Sequence, residues 1–138
     1  MEFTNFSIAF LGGVLPALFW LWFWLREDKR RPEPLRLIVL SFVAGMAVVP
    51  LVLPLQKYAL ELFADANLVI VWVTIEETLK YAAALLLILW HKDVDEPIDL
   101  IIYMIAVALG FSALENGLFM WNPLVSGDLA NSIVTGNF

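Results

Sequence analysis

The 138-residue sequence contains no cysteine, which excludes disulfides and thiolate metal sites and leaves the redox compartment unreadable. It has a single histidine, His91, and no HExxH, zinc-knuckle or glycine-rich phosphate-loop pattern. Basic residues are scarce: eight Lys and Arg against fourteen Asp and Glu, a net charge of −6 that offers nothing to nucleic acid. The first residues carry Glu2 and no Lys or Arg, so the basic region of a secretory signal is missing. No internal repeat or low-complexity segment stands out.

Apolar residues, by contrast, make up 62% of the chain, and the mean hydropathy is +0.83. That composition belongs to an all-α integral membrane protein rather than a soluble domain. Apolar runs place four transmembrane helices at about 6–25, 36–56, 68–90 and 100–121, in one polytopic membrane domain covering 1–138. The first, Phe6–Leu25, is long enough to span the bilayer and is read as a retained helix. The second contains VVPLVLP, where Pro50 and Pro54 each remove a backbone donor, so a kink or break is expected there. After it, Lys57, Glu61 and Asp65 form a polar row with Tyr58, Leu62 and Phe63 facing away. This reads either as a short amphipathic stretch or as a solvated loop.

Charge placement orients the bundle. Arg26, Lys29, Arg30, Arg31 and Arg36 lie in the first loop and Lys92 in the third. The positive-inside rule puts loops 26–36 and 91–99 in the cytoplasm of a plasma-membrane protein, with the N-terminus outside. Trp20, Trp22, Trp24 and Trp90 then mark the inner interface and Trp121 the outer one. His91 and the acidic run Asp93, Asp95, Glu96 and Asp99 read as a solvated loop leading into the fourth helix.

The third helix poses the main problem. Its twelve Leu, Ile and Val residues surround Glu76, Glu77 and Lys80. Each apolar residue favours insertion by about 0.3–0.6 kcal/mol, and each unpaired central charge opposes it by about 2.5–3.5 kcal/mol. The sums are similar, so this helix needs partners. Lys80 lies one turn from both glutamates and can pair with either. One lysine cannot neutralise two carboxylates, and an unmatched buried carboxylate suits general acid/base chemistry. Ala83 and Ala84 on the same stripe permit close approach of another helix.

The fourth helix supplies Glu115 and Asn116 on a face with Ala108 and Ser112. Its other face carries the small residues Ala106, Gly110, Ala113 and Gly117, as an interior helix would. Counted from the shared loop, Glu76 is 14 residues from Trp90 and Glu115 is 15 from Leu100. Both therefore lie about 21–23 Å from the inner end, and Pro50 falls in the same layer. A polar cavity in the outer half of the membrane is expected.

The elements LFWLWFWLREDKRRPEP, EETLK (an EExxK motif) and DEPIDLIIYMIAVALGFSALEN, in that order, resemble the PrsW family of intramembrane proteases, relatives of the CAAX prenyl endopeptidases. The resemblance spans about residues 16–118. It implies peptide-bond hydrolysis in or near the membrane, on membrane-anchored proteins such as anti-sigma factors. It implies catalytic roles for Glu76, Glu77 and Glu115, with Glu76 and Glu77 activating water, Glu115 with Asn116 polarising the carbonyl or completing the site, and Lys80 tuning the carboxylates. Family members continue into helices that contribute histidine, whereas NPLVSGDLANSIVTGNF reads as an interhelical loop, so a portion of a longer enzyme is expected. A metal cofactor stays open at this level: Glu76, Glu77 and Glu115 suit a hard divalent ion, and zinc wants a histidine. Two other classes fit the same charges, a non-catalytic membrane scaffold or immunity-type relative and a carboxylate-relay transporter.

The orientation is directly testable, because the chain has no native thiol. Arg30→Cys should react with a membrane-impermeant maleimide only from the cytoplasmic side and Ala64→Cys only from outside. Labelling of both from one side contradicts the topology.

Overall fold

The structure, a computed structural model, describes residues 2–27, 33–88, 90–92 and 94–125. Among these it forms four helices: α1 (Glu2–Glu27), α2 (Leu35–Leu62), α3 (Asp65–Leu87) and α4 (Pro97–Val125). The basic residues Lys29, Arg30 and Arg31, together with Asp93 and the tail 126–138, lie outside the described residues.

All four expected helices are present, each with shifted bounds. The largest shift concerns residues 56–67, which are not a separate surface stretch: α2 runs on to Leu62, and α3 starts at Asp65. Only Phe63 and Ala64 connect them, and Asp65 adopts a positive φ of 55°, a left-handed conformation that Asp tolerates better than most residues. The break expected at Pro50 and Pro54 is likewise absent as a helix end, because α2 is continuous through both. Both prolines are exposed, while Val48, Val49 and Val52 on the other side are buried against Phe111 of α4. Packing on that side holds both halves of the helix in one element even though each proline removes a hydrogen bond.

Residues Thr4–Arg26, Leu35–Leu62 and Pro97–Trp121 are long and apolar enough to cross a membrane. α3 does not reach that composition, because Glu76, Glu77 and Lys80 occupy its middle. A membrane protein with three such helices is therefore what length and composition establish.

α4 is the hub. It packs against α1, α2 and α3, and α2 also packs against α3. One apolar cluster joins the end of α1 (Leu21), the start of α2 (Leu37, Ile38), the end of α3 (Ile88) and the start of α4 (Tyr103, Ala106). A second joins the middles of α2, α3 and α4, and a third joins Ala9 of α1 to Met120 near the far end of α4. The helices therefore alternate in direction, with both longer connections at one end.

Glycine makes this packing possible. A Cβ on Gly110 would overlap the Phe42 carbonyl of α2, and one on Gly45 the Val107 carbonyl of α4. Gly13 of α1 faces the backbone of Ala113 and Gly117 in the same way. The small-residue stripe on α4 thus serves two partners, with backbone against backbone.

The acidic run before α4 is not all solvated. Asp99 is 1% exposed, and its Oδ2 accepts hydrogen bonds from the backbone N–H groups of Asp95 (3.0 Å) and Glu96 (2.7 Å). It caps the free donors at the helix start, where a carboxylate also complements the helix dipole. Nearby, the buried Tyr103 hydroxyl donates to Glu33, tying α4 to the chain that enters α2.

Gly110→Val should overpack the α2–α4 contact and lower stability by about 1–3 kcal/mol or more, whereas Ala108→Val, on an exposed face, should change it little. Tryptophan-monitored thermal unfolding in detergent separates the two.

Candidate functional site

The charges of α3 are distributed, not clustered at random. Lys80 is 9% exposed despite its charge. Its Nζ donates to Glu77 Oε1 at 2.6 Å, lies 4.0 Å from Glu76 Oε2, and sits 4.5 Å from the centre of the Phe111 ring on α4. An ammonium against an aromatic face gains a further favourable interaction, larger where water is excluded. The two glutamates differ sharply: the Glu77 side chain is 65% exposed and that of Glu76 21%. Helical geometry causes this. Adjacent residues project about 100° apart, so one turns inward and its neighbour along the flank.

Glu76 has a partner the sequence reading did not name. Gln56 Nε2, from the last third of α2, donates to Glu76 Oε1 at 2.7 Å. Trp72 Nε1, one turn before Glu76 on α3, donates to the Gln56 backbone carbonyl at 3.2 Å. At the level of Glu76, α2 therefore presents Gln56 and not Pro50, which lies six residues earlier. The signal was available: between Ser41 and Lys57, Gln56 is the one polar side chain on α2.

From α4, the half-buried Glu115 lies one turn beyond Phe111, the residue whose ring stands over Lys80. Asn116 Nδ2 donates to Ser112 Oγ at 3.3 Å, along one face of α4. The structure thus assembles Gln56, Glu76, Lys80 and Phe111 from three helices, with Glu77 at the edge, held by Lys80, and Glu115 one turn on from Phe111. His91 is not among them; its backbone bonds to Ile88 and Val94 place it at the opposite, loop-bearing end.

A helical membrane bundle with paired glutamates and a compensating lysine between its helices is the class of protein defined so far. Comparison with known proteins narrows it. The pattern described as "PrsW family intramembrane metalloprotease" matches residues 33–136, and the chain belongs to that family. It is 30% identical over 134 residues to the Protease PrsW of Geobacillus kaustophilus, covering 90% of this chain and 53% of the relative. It is 28% identical over 114 residues to the Protease PrsW of Bacillus subtilis, covering 79% of this chain and 52% of the relative. A third Protease PrsW, from Oceanobacillus iheyensis, is 29% identical over 116 residues with the same coverage as the second. The chain thus spans about half the length of the curated relatives it matches. No solved structure matches it.

The family description implies a metal ion. Among the described residues, no group of three His, Asp or Glu side chains is arranged to hold one. The carboxylates present are therefore not by themselves a ligand set.

Lys80→Met should strip both glutamates of their cation and lower stability by about 1–3 kcal/mol. Glu77→Gln should cost less, since Glu76 and Phe111 still hold the lysine. Equal losses in unfolding experiments would show that Glu77 alone anchors it.

Proposed function

We propose that this protein takes part in the hydrolysis of peptide bonds within or close to the membrane, acting on membrane-anchored protein substrates of the anti-sigma-factor type. The reading is glutamate-dependent. Glu76 and Glu115 are the two acids of the site, Glu77 fixes Lys80 beside Glu76, and Asn116 adds a polar group on the α4 side. The observation that carries it is the bracing of Glu76 by Gln56 of α2, and of Lys80 by Glu77 and by Phe111 of α4, in a chain of a protease family.

The chemistry follows from these groups. A carboxylate at Glu76 accepts a proton from water as the water oxygen adds to the scissile carbonyl carbon. In this reading Glu115, from α4, is the group that gives a proton to the departing amine nitrogen. The Lys80 ammonium lies close enough to offset negative charge as it develops, an effect strengthened where water is scarce.

In this reading α3 is a fourth membrane span. Lys80 and Gln56 supply its charged groups with partners, which offsets the insertion penalty that composition alone leaves standing. The four helices form one polytopic domain in the plasma membrane, with the N-terminus outside and the loops 26–36 and 91–99 in the cytoplasm. The site then lies in the outer half of the bilayer.

Cleavage of a membrane-anchored substrate in proteoliposomes tests the proposal. Glu76→Gln and Glu115→Gln should each lower the rate by about 10²–10⁴-fold while the protein stays folded, with a smaller loss for Glu77→Gln. Variants that unfold without a separate effect on rate would favour a structural role for the charges, as in a non-catalytic scaffold. Ion- or pH-driven uptake with no cleavage would point to a carboxylate relay.

A further inference from the structure

We infer that Gln56 is a positioning residue of this site, holding one oxygen of Glu76 so that the other is left for chemistry. The inference rests on the protease reading above and extends it to a residue outside the glutamate motif. Gln56 Nε2 donates to Glu76 Oε1 at 2.7 Å, a distance at which that oxygen is engaged. Glu76 Oε2 lies 4.0 Å from Lys80, beyond hydrogen-bonding distance, because the ammonium is drawn to Glu77 Oε1 at 2.6 Å. The two oxygens of Glu76 are thus unequal. One is tied to α2; the other keeps lone pairs that can take a proton.

The identity of the donor matters. A base must be oriented without being neutralised, and a side-chain amide does this because it carries no net charge. An Arg or Lys at position 56 would form a close ion pair with Glu76 and weaken it as a base. A glutamine side chain has three rotatable bonds and loses freedom when it is fixed, so its own anchorage counts. Trp72 provides part of it: Nε1 donates to the Gln56 carbonyl at 3.2 Å and ties this turn of α2 to α3. Trp72 and Glu76 lie one turn apart, so one face of α3 grips Gln56 by its backbone and is gripped in return by its side chain. Small displacements of a base relative to its substrate lower rates strongly, and this double link restrains Glu76 against them.

The test compares wild type, Gln56→Met, Gln56→Asn and Trp72→Phe in the natural membrane-embedded protein, with rates normalised to folded material. Gln56→Met keeps the length and removes the donor; it should lower kcat by about 10- to 100-fold with KM changed less than about threefold. Gln56→Asn, one methylene shorter, should lose kcat in the same direction, and Trp72→Phe should lose less than either. If Gln56→Met keeps the wild-type kcat while Glu76→Gln abolishes cleavage, the positioning role is overturned and the protease reading stands. A loss confined to KM, or one explained entirely by less folded protein, overturns it as well, because an interhelical tie alone would behave so. If wild type cleaves no membrane-anchored substrate, the reading fails and this inference fails with it.

Discussion

The structure depends on keeping an ammonium and two carboxylates in the middle of a helix that is otherwise apolar. Lys80 meets this constraint from three directions: Glu77 by a short hydrogen bond, Glu76 at longer range, and the Phe111 ring from α4. None of these contacts is large alone, and ion pairs in contact with water contribute modestly. Their value rises where water is excluded, because the alternative is an uncompensated charge in a low dielectric. The aromatic partner also ties the charge to helix packing. Phe111 can stand over Lys80 only because it is buried among Val48, Val49 and Val52 of α2.

That packing in turn rests on glycine. Gly45 and Gly110 let α2 and α4 meet backbone to backbone, and Gly13 and Gly117 do the same for α1 and α4. Close approach of α2 to α4 narrows the space into which α3 fits, since α3 packs against both. Gln56 can then reach Glu76 from α2. The polar site and the small-residue contacts are parts of one arrangement: filling Gly45 or Gly110 would push α2, which carries Gln56, away from α4.

Family membership and geometry bear on different levels. The match over residues 33–136 assigns the chain to a family of intramembrane metalloproteases, and it says nothing of which carboxylate does what. The geometry distinguishes the neighbours in the EExxK motif, with Glu76 turned toward α2 and α4 and Glu77 toward the flank. With about half the length of its curated relatives, the chain presents acids and a lysine, and among the described residues no ligand set for a metal ion.

Hydrophobic pattern and helical period alone determined much of this protein. Apolar run lengths located four helices, and the 3.6-residue period put Lys80 between its two glutamates. Counting residues from a shared loop set Glu76 and Glu115 at one depth, because helical rise is nearly constant. The small stripe on α4 identified the interior helix in the same way. Local pattern failed where packing outweighed it. The prolines of α2 did not end the helix, since buried valines hold both halves, and Asp99 became a buried cap rather than a solvated acid. Which glutamate faces inward, and that Gln56 meets it, depended on how α2 rotates against α3. That rotation is set by side-chain packing among three helices, and no periodicity within one helix encodes it.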